Sequence, residues 1–315
     1  MNLKSLIKSH SDQILKLEQA IDQKKMPHAM LFTGPESIGK KMVAMALAQK
    51  LVCEKNQSAC GVCPACLRMA KHQSENLLFI EPAGLNIKID QTREISHFLS
   101  LANFGMNRLV IIDQAHLLNL QAANSILKNL EEPSDNVYFI LIAPDAESVL
   151  STIRSRSQVI RFLALPVVDM KKIKPGLADW IYKCSRGQMN ELSYLSESEG
   201  LSKRLKSFEL LNLFWTDPLF LQENTWRLAF KERESALHMI KNWILIMRDL
   251  IVLKMDEINH VLNSDQLESL KKLIFLNNDQ LNFFIINLLR LQKDISKYMD
   301  TTLLVESLWV NHARK

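Results

Sequence analysis

The sequence predicts an α/β unit built on a parallel sheet, followed by an all-helical region. Three observations carry this. Five short β-like runs (29–33, 77–81, 109–112, 137–143 and 158–162) alternate with helical patterns at 39–51, 91–102 and 120–130. Strand following helix following strand implies parallel pairing with both sheet faces covered. After Leu165-Pro166 the β-like runs stop, and from Lys206 onward the pattern is helical throughout. Only 8 glycines in 315 residues also favour helix over tight turns.

The composition narrows the class further. Hydrophobic residues make up 47% of the chain, enough for more than one core. Lys and Arg number 39 against 34 for Asp and Glu, a net charge of +5 spread along the chain. That permits contact with nucleic acid and is equally the charge of an ordinary solvated surface. No window reaches the length of a membrane span, since the most apolar stretch, 243–253, is broken by Arg248 and Asp249. Residues 1–12 hold Lys4, Lys8 and His10 among apolar neighbours and lack the uninterrupted apolar core of a signal peptide. A soluble, cytoplasmic protein is expected.

The first strand runs into Gly34-Pro35-Glu36-Ser37-Ile38-Gly39-Lys40-Lys41, which opens a helix. A strand, a glycine loop, Gly-Lys and a helix start in that order form a Walker A loop, where backbone N–H groups cradle phosphates. Such a loop needs Ser or Thr after the lysine to ligate Mg²⁺. Lys41 brings a cation there instead. The loop is therefore open to two readings, a retained turn that binds nothing and a residual nucleotide site using Gly34, Gly39, Lys40 and Asp113. Asp113 ends the third strand, in the place of a Walker B carboxylate that holds the metal. The next residue is Gln114, whose amide takes no proton at neutral pH. One defect removes metal ligation and the other removes the base, so ATP binding is doubtful and hydrolysis is not expected.

Four of the five cysteines fall within 14 residues, Cys53, Cys60, Cys63 and Cys66, spaced C-x6-C-x2-C-x2-C. In a reducing compartment clustered thiols favour a metal site over disulfides. Four thiolates close a tetrahedral zinc site with no open position, so the role predicted is structural. His28, His72, His97 and His116 lack ligand spacing and read as surface or packing residues, and no nucleophile–histidine pair stands out.

Two further stretches sharpen the reading. Asn124-Ser125-Ile126-Leu127-Lys128-Asn129-Leu130-Glu131-Glu132-Pro133 follows the third strand, and Thr152-Ile153-Arg154-Ser155-Arg156-Ser157 precedes the fifth. Together with His28-Ala29 and Ile89-Asp90-Gln91-Thr92-Arg93-Glu94, they stand in the order of the bacterial clamp-loader AAA+ family, which the chain resembles over residues 25–195. Beyond that region the likeness is one of size and helicity, with an echo of the family's collar helix in Asp300-Thr301-Thr302-Leu303-Leu304-Val305-Glu306.

The resemblance implies an AAA+ P-loop domain at 1–165 with a zinc module at about 53–66, a small helical lid at 166–205, and a helical collar for oligomerisation at 206–315. It implies a subunit of a DNA-directed DNA polymerase holoenzyme. Its partners would be tau/gamma-type ATPase subunits, a clamp-opening delta-type subunit, the sliding clamp and primed DNA. With no base-reading motif, contact with DNA would be to the backbone and salt-sensitive. In this family a Ser-Arg-Cys motif offers an arginine finger to the ATP of the adjacent subunit. Here Ser155-Arg156-Ser157 keeps the serine and the arginine, which makes Arg156 the expected finger in trans with Ser155 beside it. A guanidinium suits the task because it stays charged and forks onto phosphate oxygens. The family's polar sensor after the fourth strand is replaced by Ala143-Pro144, and its sensor arginine falls at Asn190. With Lys41 and Gln114 these make four altered parts, so the resemblance points to a ring member that hydrolyses no ATP. The alternatives are an ATP-hydrolysing clamp loader or other stand-alone P-loop ATPase, and a nucleotide-free DNA-binding protein.

Overall fold

A computed structural model describes residues 1–55, 59–101, 107–222, 224–296 and 299–313. Ala102, expected to close a helix, and residues 56–58 of the cysteine module lie outside them. The chain divides into two compact units, Met1–Pro175 and Gly176–Lys315.

The first unit follows the predicted alternation. Its elements are α1 (Ser11–Asp22), β1 (Ala29–Thr33), α2 (Lys40–Leu51), α3 (Pro64–Ala70), β2 (Leu77–Ile80), α4 (Ile89–Ser100), β3 (Arg108–Ile112), α5 (Leu120–Glu131), β4 (Val137–Ala143), α6 (Ser151–Arg154), β5 (Gln158–Arg161) and α7 (Val167–Ile173). The five strands form one sheet in the order β2-β3-β4-β1-β5, with every pairing parallel. The sequence of β1, Ala-Met-Leu-Phe-Thr, has no polar alternation because helices cover both of its faces, and all five of its residues are buried. β3 is likewise buried throughout, whereas the edge strands β2 and β5 are mostly half-exposed or exposed. α4 and α5 pack side by side and are tied by the Ser125 hydroxyl, which donates to Thr92 Oγ1 at 2.7 Å. This strand order sets the carboxyl ends of β1, β3 and β4 next to one another, the usual place for a ligand in an open α/β sheet.

The second unit is helical: α8 (Asp179–Cys184), α9 (Met189–Ser196), α10 (Ser198–Thr216), α11 (Thr225–Phe230), α12 (Arg233–Lys254), α13 (Leu267–Lys271), α14 (Asn278–Ser296) and α15 (Thr301–Ala313). One hydrophobic core runs from Phe208 to Leu308. Its centre is aromatic, with Phe214 edge-on to Trp243 at 5.6 Å and tilted against Phe284 at 5.2 Å. The apolar stretch around 243–253 is the buried face of α12, where Trp243, Met247 and Leu250 are fully enclosed. Asp249 is enclosed with them. Its carboxylate accepts from the backbone N–H groups of Leu262 and Asn263, from the Asn263 amide, and from Arg248. A charge that interrupts an apolar run in the sequence thus anchors the loop after α12. Arg204, also buried, forks onto Asp265 at 2.7 and 2.9 Å and donates to Asn263. Cys184 lies against this network, and burial pushes its thiol up to about 12. α10 runs without a break across positions 205 and 206. No helix among the described residues is long and apolar enough to cross a membrane.

Candidate functional site

The phosphate-type loop forms as the sequence predicts, between β1 and the start of α2. Gly34 takes φ +140°, and a Cβ there would sit 2.2 Å from the Phe162 carbonyl oxygen, so no larger residue fits. Its N–H donates to the Pro144 carbonyl at 3.0 Å. The backbone of Pro144 thereby staples the loop to the end of β4. Gly39, at φ +101°, caps α2.

Lys40 does not reach outward. The residue is buried, and its ammonium donates back to the carbonyls of Gly34 and Pro35. Burial lowers its pKa, while the charges of Glu36 and Asp113 oppose that shift. Lys41 reaches the residues that follow β2 and β3. It bonds the Glu81 carboxylate, lies 3.9 Å from Asp113 Oδ2, and covers the ring of Phe79 at 4.2 Å. Because β2 pairs directly with β3, Glu81 after the one strand and Asp113 after the other flank a single ammonium. Asp113 is held by its own N–H, which donates to Ile80, and it accepts from the N–H of Gln114 at 3.0 Å. Gln114 itself is exposed and sits in the left-handed region at φ +52°, a conformation uncommon for a residue with a side chain.

Two histidines that the sequence reading did not assign to this site lie beside it. His116 is half-buried and faces Glu36, Asp113, Asp145 and Lys40; burial lowers its pKa, and its Nδ1 has no partner among the described residues. His10 bonds the Ile38 carbonyl through Nε2 at 2.8 Å and meets the Phe162 ring edge-on at 5.1 Å. Neither lies at a motif spacing; only the packing of α1 and the turn after β3 brings them here.

Ser155 and Arg156 stand apart from the loop, between α6 and β5. The Arg156 Nη1 donates to the Thr152 carbonyl at 3.0 Å and to Ser155 Oγ at 3.2 Å. Ser155 Oγ donates to the same carbonyl at 3.1 Å, so the serine sets the orientation of the guanidinium. Nη2 meets Glu131 Oε1 at 2.5 Å, at the last residue of α5. These groups border an open cleft of about 730 Å³ whose far wall is Pro27, His28 and Ala29. His28 is bonded to the Leu130 carbonyl at 3.0 Å. Arg154 is turned inward instead, toward the Ala146 carbonyl at 3.4 Å.

The four cysteines converge. Their sulfurs all lie within 4.8 Å of one another, and Cys60 and Cys66 are 4.0 Å apart. A tetrahedral zinc with bonds of about 2.3 Å would hold sulfurs about 3.8 Å apart, so the set fits the ion with a small contraction. The N–H groups of Cys60, Cys63 and Cys66 each point at the preceding cysteine's sulfur at 3.4 Å, which favours thiolates. Backbone N–H groups of Val62 and Cys63 draw the Cys60 thiol down to about 6, whereas burial pushes Cys66 up. The module also grips the start of the chain. Gln49 of α2, fully buried, accepts from the Leu3 N–H at 2.8 Å and donates to the carbonyls of Met1 and Cys66.

Residues 9–166 match the sequence profile of the family described as DNA polymerase III, delta subunit. The chain is 28% identical over 270 residues to the DNA polymerase III subunit delta′ of Bacillus subtilis, covering 81% of each. It is 37% identical over 134 residues to subunit delta′ of Pseudomonas aeruginosa, 41% of each chain. It is also 34% identical over 161 residues to subunit gamma/tau of Mycobacterium bovis, and there the match spans half of this chain and 28% of the relative.

Proposed function

Because this chain belongs to the DNA polymerase III delta/delta-prime family of clamp-loader subunits, we propose that it is the ring member that hydrolyses no ATP and lends Arg156 to the ATP of an adjacent subunit. The observation that carries this reading is Lys41, whose ammonium lies between Glu81 and Asp113, where a hydrolysing loop keeps its divalent cation. Gln114 removes the base beside it, and Lys40 is spent on the loop's own carbonyls. The loop survives as a structural staple between β1, β4 and β5.

Arg156 takes the opposite part. It borders an open cleft outside the chain's own loop, with Ser155 and Thr152 steering its guanidinium. Placed beside a neighbour's nucleotide it would fork onto the phosphoryl oxygens as charge builds on them. The neighbours would be tau/gamma-type ATPase subunits and a clamp-opening delta-type subunit, and the work would be loading a sliding clamp onto primed DNA in the cytoplasm. A collar from about 206, preceded by a small lid, would share α10, which runs through that boundary, and the core from Phe208 to Leu308 would belong to the collar. Leu228, Phe275 and Leu303, each more than half exposed, offer it apolar contacts with other subunits. Cys53, Cys60, Cys63 and Cys66 would hold one zinc, which cross-links the module between α2 and α3.

The test is a reconstituted complex carrying Arg156→Ala. Loss of an arginine finger costs roughly 10³ to 10⁵ in rate at the one site it serves. Total DNA-stimulated ATPase should fall in part, clamp loading further, and assembly should be intact. Arg154→Ala should have the smaller effect. Wild-type rates in both assays with Arg156→Ala would refute the donor role, and ATP turnover by the purified chain that vanished with Lys40→Ala would refute the inactive loop.

A further inference from the structure

Arg156 leaves one edge of its guanidinium half-used. Nη1 is tied down by Thr152 and Ser155, whereas Nη2 meets one oxygen of Glu131 at 2.5 Å and Nε is buried with no hydrogen-bond partner among the described residues. A guanidinium offers Nε and Nη2 as a parallel pair of donors matched to two oxygens of one carboxylate or phosphate. Glu131 takes only half of that pair. It is also a carboxylate on the last residue of α5, where the helix's unpaired carbonyls make a negative charge unwelcome. Its side chain is 47% exposed and Arg156 34% exposed, so the contact sits at the cleft rim in reach of an incoming anion.

We propose that Glu131 is a latch on Arg156: it holds the guanidinium on this chain's own surface until the phosphoryl oxygens of a neighbour's nucleoside triphosphate displace it. This inference rests on Arg156 acting in trans. An ion pair so exposed is weak, and weakness is what an exchangeable holder needs. A phosphoryl group carries more charge than one carboxylate and can take Nη2, and Nε with it once the side chain turns enough to expose that edge. Thr152 and Ser155 keep Nη1 in place throughout, so the exchange needs no large swing of the backbone. Glu131 acts only through Arg156 and is a positioning residue. In the resting ring it withholds the finger, which lowers hydrolysis before DNA is engaged.

The experiment uses the full chain in a reconstituted complex with its ATPase partners. ATPase is measured without and with clamp and primed DNA for wild type, Glu131→Gln, Glu131→Asp, Arg156→Ala and the Glu131→Gln/Arg156→Ala pair. Glu131→Gln keeps the size and removes the charge. It should raise the DNA-independent rate up to about fivefold, which at about 1.4 kcal/mol per tenfold is the upper end for an ion pair of this exposure. The rate with DNA should change less, so the stimulation ratio shrinks. Glu131→Asp, which restores a carboxylate, should recover part of the low resting rate. The double variant should match Arg156→Ala alone. If Arg156→Ala is impaired and Glu131→Gln is at or below the wild-type resting rate, the latch is wrong while the donor role stands. If Arg156→Ala is itself at wild-type rates, the donor role falls and the latch with it.

Discussion

The Lys41 ammonium lies 3.9 Å from Oδ2 of Asp113 and bonds the Glu81 carboxylate on its other side. Both carboxylates follow neighbouring parallel strands, so the sheet itself presents a pair of negative charges at this point. In a hydrolysing loop a divalent cation answers such charges. Here a tethered cation does, with the ring of Phe79 beneath it. Two unit charges 4 Å apart interact with about 4 kcal/mol near a protein surface, and Lys41 is 41% exposed, so solvent reduces that figure. A metal arriving at Asp113 must first displace the lysine.

Replacing Lys41 with threonine should therefore return a metal-dependent nucleotide site. Titration with a fluorescent ATP analogue, with and without Mg²⁺, is expected to show binding at least about tenfold tighter in Lys41→Thr than in wild type, a gain of about 1.4 kcal/mol. Lys41→Ala removes the competing charge without adding a ligand and should recover less. Neither variant should turn over ATP, because Gln114 remains. Equal, metal-independent binding by all three proteins would show that Lys41 is not what closes the site.

The cysteine module should carry one zinc per chain. Its four sulfurs already lie within 4.8 Å of one another, and Gln49 links the module to both α2 and the first residues. Metal analysis of protein purified without chelator should give close to one zinc, with the four thiols unreactive until the metal is removed. Cys60→Ser should destabilise the first unit by about 2 kcal/mol, a fall in Tm of roughly 4–8 °C for a unit of this size. Metal-free protein with an unchanged melting curve would rule out a structural zinc.

Asp249 should be among the most sensitive positions of the second unit. It is fully buried and answers three N–H groups of the Leu262-Asn263 turn as well as Arg248. Asp249→Ala strands those donors inside the core, at a cost of about 3–5 kcal/mol. Asp249→Asn keeps one acceptor oxygen and should cost less. Urea denaturation followed by tryptophan fluorescence reports this directly, since Trp243 lies on the same helix. A loss below about 1 kcal/mol for the alanine variant would mean that solvent reaches the turn.

Much of this molecule is legible in the sequence because its signals are local. The five strands lie within a residue of their expected bounds, since a buried parallel strand is simply an apolar run between helices. The loop at 34–41, the cysteine spacing and Ser155-Arg156 are likewise read from neighbours along the chain. Partners are another matter. Glu81 is 40 residues from Lys41 and Glu131 is 25 from Arg156, and no periodicity connects them. Glu81 joins Asp113 beside Lys41 only because β2 lies beside β3, and Glu131 meets Arg156 only because α5 ends next to α6. The sequence alone determined which chemical groups are present and which are missing from the loop. Tertiary structure decided which charge neutralises which, because an ion pair depends on distance in space, and strand order sets that distance.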